Sequence, residues 1–155
     1  MRALIHRLRV GGELTAGLIL RALLSGNVAL FEEALADLTD MPVERVSGLI
    51  YGSSNTGLLA LFDRAELPPS TYPAFKEAIE ALREGGLVSE PGGAARLKRR
   101  TIERVLTRCE NEDLGELAPL LTLLRRFATE AAREEARMFC DELVAESFED
   151  QSEAA

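Results

Sequence analysis

The feature that most constrains the fold is a pair of helical patterns joined by a short turn, GELTAGLILRALLSGNVALFEEALADL, between Gly12 and Leu38. The first pattern, from Leu18 to Leu24, is apolar on every face except at Arg21. A helix that is hydrophobic all round belongs inside a bundle. In the second pattern, apolar residues recur at helical spacing and acidic residues fall opposite them, which is typical of a half-buried helix. Because the turn is short, we predict a helical hairpin at the centre of the fold.

Residues at the ends of these two patterns have the properties of helix caps. The side-chain oxygens of Thr15 and Asn27 are suited to accept hydrogen bonds from the free backbone N–H groups of a first helical turn. Gly26 stands where a left-handed residue lets the chain reverse. Arg21 is predicted either to face solvent at a gap between helices or to be buried with an acidic partner.

Helical patterns continue along the rest of the chain. A short amphipathic helix precedes the hairpin over residues 2–10, and further helices are predicted to begin near Pro42, Thr56 and Tyr72. A basic helix and a long final helix follow. The sequence therefore predicts an all-α bundle of about eight helices, arranged as antiparallel, repeat-like hairpins and closed by a long C-terminal helix.

One composition shift suggests how this bundle is divided. The stretch GGLVSEPGG at residues 85–93 is rich in glycine and contains proline, as linkers are. It separates a predicted helical core over residues 1–84 from a C-terminal helical pair over residues 94–148, which we expect to pack on the core or on a second subunit. Residues 149–155 are predicted to be a disordered tail.

Size and charge limit the classes of function. A chain of 155 residues suits one domain with its own core. Its net charge of −8 disfavours a protein that coats nucleic acid, because a phosphate backbone rewards a broadly basic surface. No apolar run approaches the ~18 residues of a membrane span. The start, MRALIHRLRV, lacks the long uncharged core of a signal peptide. We expect a cytoplasmic protein without membrane insertion.

The residues that usually carry catalysis or bind metals are sparse. Cys109 and Cys140 are far from any CxxC spacing, so both are predicted to be buried thiols that pack like small hydrophobic residues. His6, the one histidine, lies among arginines and is interpreted as a surface residue. With one histidine and no GxSxG motif, a nucleophile–base arrangement cannot be built. No zinc tetrad or calcium loop is present in the sequence. We predict no enzymatic activity, catalytic residue, cofactor or metal site.

Residues 34–50, ALADLTDMPVERVSGLI, are one candidate for binding nucleic acid. A helix, a tight turn and a second helix in this segment resemble a helix-turn-helix. The second helix offers only Arg45 and Ser47 as side chains suited to reading bases, whereas a recognition helix normally presents several. The segment therefore supports DNA binding only as an alternative.

The basic helix over residues 96–108 is a second candidate binding segment. Its arginines recur along one helical face, and they are Arg96, Arg100, Arg104 and Arg108. This face is either solvated and neutralised by the acidic turn of residues 110–116 or by the acidic C-terminal region, or it docks an acidic partner, a second subunit or nucleic acid. No aromatic residues are interleaved with the arginines, which disfavours binding to single strands.

The final helical pattern has an apolar seam bordered by alternating charges. Arginines and glutamates lie three and four residues apart beside the seam, which supports a solvated helix. The pattern of roughly thirty residues is longer than most helices of globular proteins. We therefore expect this helix to pack along the whole domain or against a second copy of the chain. The candidate self-association residues are Leu121, Leu124, Phe127 and Met138.

The hairpin and the two segments that follow it, MPVERVSGLI and GLLALFDRAELPPSTYPAFKEAIEAL, resemble a bacterial family catalogued as domain of unknown function 2336 and found mostly in alphaproteobacteria. The resemblance covers about residues 8–82. Its specific elements are the GELT start with Arg21 and Gly26, the helix of Phe31 and Ala34, Pro42 with Arg45 and Val46, and Leu61 through Ala65 followed by Leu67-Pro68. It implies an all-helical fold and brings no reaction and no catalytic residues. It also implies further helical pairs ahead of this region in other members, which we expect to be missing here.

These observations favour a non-enzymatic function. We predict a regulatory or scaffolding domain that binds another protein and also self-associates through its final helix. The alternative is a nucleic-acid-binding transcriptional regulator that uses residues 34–50 or the basic helix 96–108.

Overall fold

The computed structural model of the chain describes residues 1–52, 54–84, 99–110 and 114–153. Over these residues the chain forms eight α-helices and one 3₁₀ turn, Pro69–Thr71, without a β-strand. The predicted all-α fold is confirmed. The helices are α1 (Arg2–Val10), α2 (Ala16–Leu24), α3 (Val28–Thr39), α4 (Val43–Tyr51), α5 (Asn55–Arg64), α6 (Tyr72–Arg83), α7 (Arg99–Glu110) and α8 (Leu114–Glu153).

The local signals of the central hairpin are confirmed. The Thr15 hydroxyl accepts a hydrogen bond of 3.2 Å from the backbone N–H of Leu18, which caps α2. The side-chain oxygen of Asn27 accepts one of 3.3 Å from the N–H of Leu30, which caps α3. Gly26 has a φ of +74°, a left-handed conformation that residues with a Cβ rarely adopt.

Helix α2 lies at the centre of the bundle, as its apolar composition predicts. It packs against α3, α6 and α8, while α3 also contacts α1, α4 and α5. Aromatic side chains fill the space beneath the hairpin: the rings of Phe31 and Phe75 stack with centroids 6.2 Å apart, and Phe62 lies 5.0 Å from Phe75. The buried residues of α2 are Ile19, Leu20, Ala22, Leu23 and Leu24.

The two C-terminal helices pack on the hairpin core of the same chain. Helix α7 lies between α6 and α8 and buries Ile102 and Val105, while α8 also contacts α2. The predicted linker over residues 85–93 and the predicted helix start over 94–98 lie outside the described residues. Helix α8 continues to Glu153, so residues 149–153 of the predicted tail are helical. These residues contain neither glycine nor proline, the two residues that most oppose a helix.

The core ends before helix α8 does. Every side chain from Glu135 to Ala145 is exposed, whereas Ala131 is fully buried. Cys109 is buried, as predicted, but the prediction that Cys140 is buried is wrong. The apolar pattern of α8 runs past the point where other helices cover it, and Cys140 lies beyond that point.

Replacing Leu124 with alanine tests whether α8 is part of this core. Leu124 is fully buried, so we expect Leu124→Ala to lower the free energy of unfolding by about 2–5 kcal/mol. Thr122→Ala, on the exposed side of the same helix, should change it by less than about 0.5 kcal/mol. Urea denaturation followed by circular dichroism measures both. If both substitutions lowered the free energy of unfolding by the same small amount, this would contradict the packing of α8 on the core of its own chain.

Candidate interaction site

The arginines of the basic helix do not form one open surface. Arg104 points at α6, where its guanidinium bonds to the carboxylate of Glu77 and donates to Glu84 Oε2 at 2.6 Å. The hydrogen bond from Arg104 lowers the pKa of Glu84, and the bonds to Glu84 and Glu77 raise the pKa of Arg104. Arg104 therefore holds α7 to α6, and it is neutralised by Glu77 and Glu84 and not by the acidic turn or the C-terminal region named from the sequence.

The other predicted partner-binding arginines are less constrained. Arg100 and Arg108 are exposed on α7, and Arg108 lines a groove with Tyr72 and Glu80 of α6. Arg96 lies outside the described residues. A role of this helix in binding an acidic partner stays a prediction, with Arg100 and Arg108 as the exposed residues that can still serve it.

Three of the four candidate self-association residues are covered by their own chain. Leu121, Leu124 and Phe127 have exposed fractions of 4%, 0% and 4%, whereas Met138 is 38% exposed. A second copy would contact the first three only if α8 left the core. Self-association stays a prediction, and Met138 is the candidate placed where another molecule can reach it.

Beyond the core, α8 presents apolar side chains to solvent in a region that we call the exposed α8 segment, residues 135–145. Phe139 is 61% exposed, and Leu143 and Val144 are 49% and 53% exposed. The apolar spacing of this region continues that of the preceding turns, so the sequence predicts that it belongs to the seam. The positions of the other helices set where burial ends, because Ala131 is fully buried and Phe139 is 61% exposed.

Arg21 is half-buried and has the acidic partner that burial requires. Its two terminal nitrogens each donate a hydrogen bond of 2.5 Å to the carboxylate of Glu130 on α8, and its guanidinium lies 5.7 Å from the centre of the Phe127 ring. The hydrogen bond to Glu130 raises the pKa of Arg21, and the same bond lowers the pKa of Glu130. The single charge of α2 therefore joins the central hairpin to the last helix.

An open groove of about 900 Å³ lies beside this ion pair, between α2 and α8. The two helices approach closely at Gly17, where a Cβ would lie only 2.8 Å from Leu123 Cδ2. Leu18 and Phe127 contribute apolar surface to the groove. Its cationic lining residues, besides Arg21, are Arg126 and Arg133. This groove could not be predicted from the sequence, because its two walls are about a hundred residues apart in the chain.

The helix-turn-helix-like segment consists of the end of α3, a short turn and α4, and it offers little polar surface for reading bases. Asp40, with a φ of +51°, turns the chain between α3 and α4. On α4, Arg45 is exposed beside Glu44, and the Ser47 hydroxyl donates a hydrogen bond of 3.0 Å to the Val43 carbonyl of its own helix. Nucleic-acid binding through this segment stays a prediction.

The described residues contain neither a cluster of potential metal ligands nor a helix that is long and apolar enough to cross a membrane. His6 is exposed, and its Nδ1 lies 3.8 Å from a carboxylate oxygen of Asp37. This position agrees with the interpretation of His6 as a surface residue.

The sequence profile of one protein family matches residues 1–115, and the family is described as an uncharacterised protein conserved in bacteria. The match confirms the resemblance noted over residues 8–82 and extends it through α7. No match was found among curated proteins or among solved structures.

Removing the carboxylate of Glu130 tests the link between α2 and α8. Because Arg21 lowers the pKa of Glu130 in the folded state, the pair adds stability that is complete above the unfolded-state pKa of about 4.3 and is lost as pH falls through the folded-state pKa. We expect Glu130→Gln to lower the free energy of unfolding at pH 7 by roughly 1 kcal/mol, since the pair is partly exposed. Urea denaturation at several pH values measures this.

The expected signature is a smaller loss of stability in acid for Glu130→Gln than for the wild type. Glu142→Gln is the control, because Glu142 lies on the exposed α8 segment of the same helix. Parallel stability curves of wild type and Glu130→Gln below pH 5 would contradict the assigned pair.

Proposed function

We propose that this chain, which belongs to the bacterial family catalogued as domain of unknown function 2336, functions by binding another protein and has no enzymatic activity of its own. The observation that supports this is the exposed α8 segment, where Met138, Phe139, Leu143 and Val144 are all more than a third exposed. A domain that binds a partner and catalyses no reaction acts as a regulator or a scaffold.

The exposed α8 segment has the properties of a helix that docks into a groove. Phe139 and Leu143 are four residues apart and therefore neighbours on one side of the helix. Anchors at this spacing are typical of helices that bind in the groove of a partner. Large aromatic side chains at the centre of such contacts usually contribute most of the binding free energy.

The polar residues of the segment agree with this proposal. Arg137, Asp141 and Glu142 lie between the apolar residues and are exposed, so the segment can stay in water until a partner covers it. Contacts with an apolar centre and a charged rim are typical of non-obligate complexes.

The groove between α2 and α8 supports binding better than catalysis. Among its lining residues, the one carboxylate is that of Glu130, and Arg21 neutralises it through two hydrogen bonds. A carboxylate whose pKa is lowered in this way is a weak base, whereas a general base works best with a pKa near the operating pH.

Charged substitutions in the exposed α8 segment test the proposal. We expect the double variant Phe139→Asp/Leu143→Asp to capture at least about tenfold less of the partner from lysate of the native cell than the wild type does, because two apolar anchors become charged. Leu59→Asp is the matched control: Leu59 is 44% exposed on α5, close to the 49% of Leu143. Capture with quantitative mass spectrometry measures the difference.

Light scattering after gel filtration of the same three proteins shows whether the partner is a second copy. A dimer that is lost only in the double variant would identify self-association as the protein interaction. The same set of captured proteins for wild type, control and double variant, without a change in mass, would contradict the proposal.

A further inference from the structure

We propose that the arginine face of α8, which we define as Arg126, Arg133 and Arg137, together with the groove against α2, binds an acidic helical segment of a partner protein. This inference rests on the proposed function and adds the chemistry of the partner. It uses a different side of α8 from the one that carries Phe139.

The three arginines lie on one side of the helix. Their spacings of seven and four residues return to the same face of an α-helix. All three are exposed, and within the described part of the chain none has a carboxylate at ion-pair distance. By contrast, Arg99 and Arg104 on α7 each bond to glutamates.

Two of the glutamates interleaved with these arginines, Glu130 and Glu135, bond to other helices. Glu130 bonds to Arg21 on α2, and Glu135 lies 3.7 Å from Arg99 on α7. Although Arg126 also attracts Glu130 electrostatically, it forms no direct ion pair with it. Glu130 and Glu135 are therefore held toward α2 and α7, and neither forms an ion pair with an arginine of this face.

Apolar side chains line the groove beside these arginines. Arg126 and Arg133 line the same groove as Leu18, Leu123 and Phe127. A helix lying in a groove between two helices needs apolar contact along its centre and polar contact along its edge. The groove and its arginines supply both along the first half of α8.

The chemistry of arginine favours carboxylates as the edge contacts. A guanidinium matches a carboxylate in a bidentate geometry, which an ammonium group cannot do. The rest of the protein is acidic, with a net charge of −8 for the whole chain. The chain as a whole therefore repels an acidic partner, whereas arginines without an ion pair, such as those of this face, attract it.

A synthetic peptide tests the inference. The probe is a fluorescein-labelled amphipathic helix with glutamates along one edge and leucines along its centre, and its control carries lysines in place of the glutamates. Fluorescence anisotropy at several salt concentrations measures binding. We expect the glutamate peptide to bind the wild type, more tightly at low salt, and the lysine peptide not to bind.

Two double variants locate the binding site. Arg126→Glu/Arg133→Glu should weaken binding at least about tenfold. Arg100→Glu/Arg108→Glu makes the same change in net charge on α7 and should alter it less than about twofold. Circular dichroism checks the fold, and Arg126→Gln/Arg133→Gln, which adds no repulsion, should weaken binding by an intermediate amount.

The inference would be overturned if the glutamate peptide did not bind at any salt concentration, or if both glutamate double variants weakened its binding equally. Loss of peptide binding only in Arg100→Glu/Arg108→Glu would also overturn it and would place the site on the basic helix. Tighter binding of duplex DNA than of the peptide, abolished by Arg126→Glu/Arg133→Glu, would assign the face to nucleic acid. Because Phe139→Asp/Leu143→Asp leaves these arginines in place, its capture result tests the proposed function separately.

Discussion

The bond between Arg21 and Glu130 is the contact on which the arrangement of the surfaces depends. It joins the one charged position of the central helix to the middle of the last helix, at 2.5 Å. With Glu130 held toward α2, Leu124 and Phe127 turn into the core, and Arg126 and Arg133 turn outward. Because the pair is partly exposed, it contributes about 1 kcal/mol. Burial of a side chain such as Leu124 contributes more, about 1.5–3 kcal/mol. Packing therefore supplies most of the stability of α8, and the ion pair adds a specific polar contact between α2 and α8.

Local structure could be predicted from the sequence because its causes lie within a few residues. Thr15, Gly26 and Asn27 act on the next turn of the chain, and each has the predicted role. Whether other helices cover an apolar helix face has no such local cause. The pattern of α8 identifies Leu124 and Phe139 equally as apolar, yet one is 0% and the other 61% exposed. The difference is set by where α2, α7 and the 3₁₀ turn end in space, and the error at Cys140 has the same origin.

The ion pairs at the candidate site could not be predicted from the sequence for the same reason. In the sequence, the arginines of residues 96–108 can be either neutralised or open, and those of α8 alternate with glutamates about one turn away. In the structure, Arg104 reaches Glu77 and Glu84 across a helix interface, and Glu130 and Glu135 bond to other helices. Pairing between helices therefore neutralises Arg104 on α7 and draws two glutamates of α8 away from its arginines. Spacing along one helix does not contain this information.

The length of α8 affects how its exposed half would bind the proposed partner. An isolated helix of about fifteen residues is marginal in water, because nucleation is costly. Here the turns around Leu124 and Ala131 are fixed by the core, and the exposed α8 segment extends a helix that is already nucleated. Phe139 and Leu143 are therefore presented at a fixed spacing before any partner arrives. Binding does not have to order the backbone of the segment, so less of the interaction free energy is lost than for a segment that folds on binding.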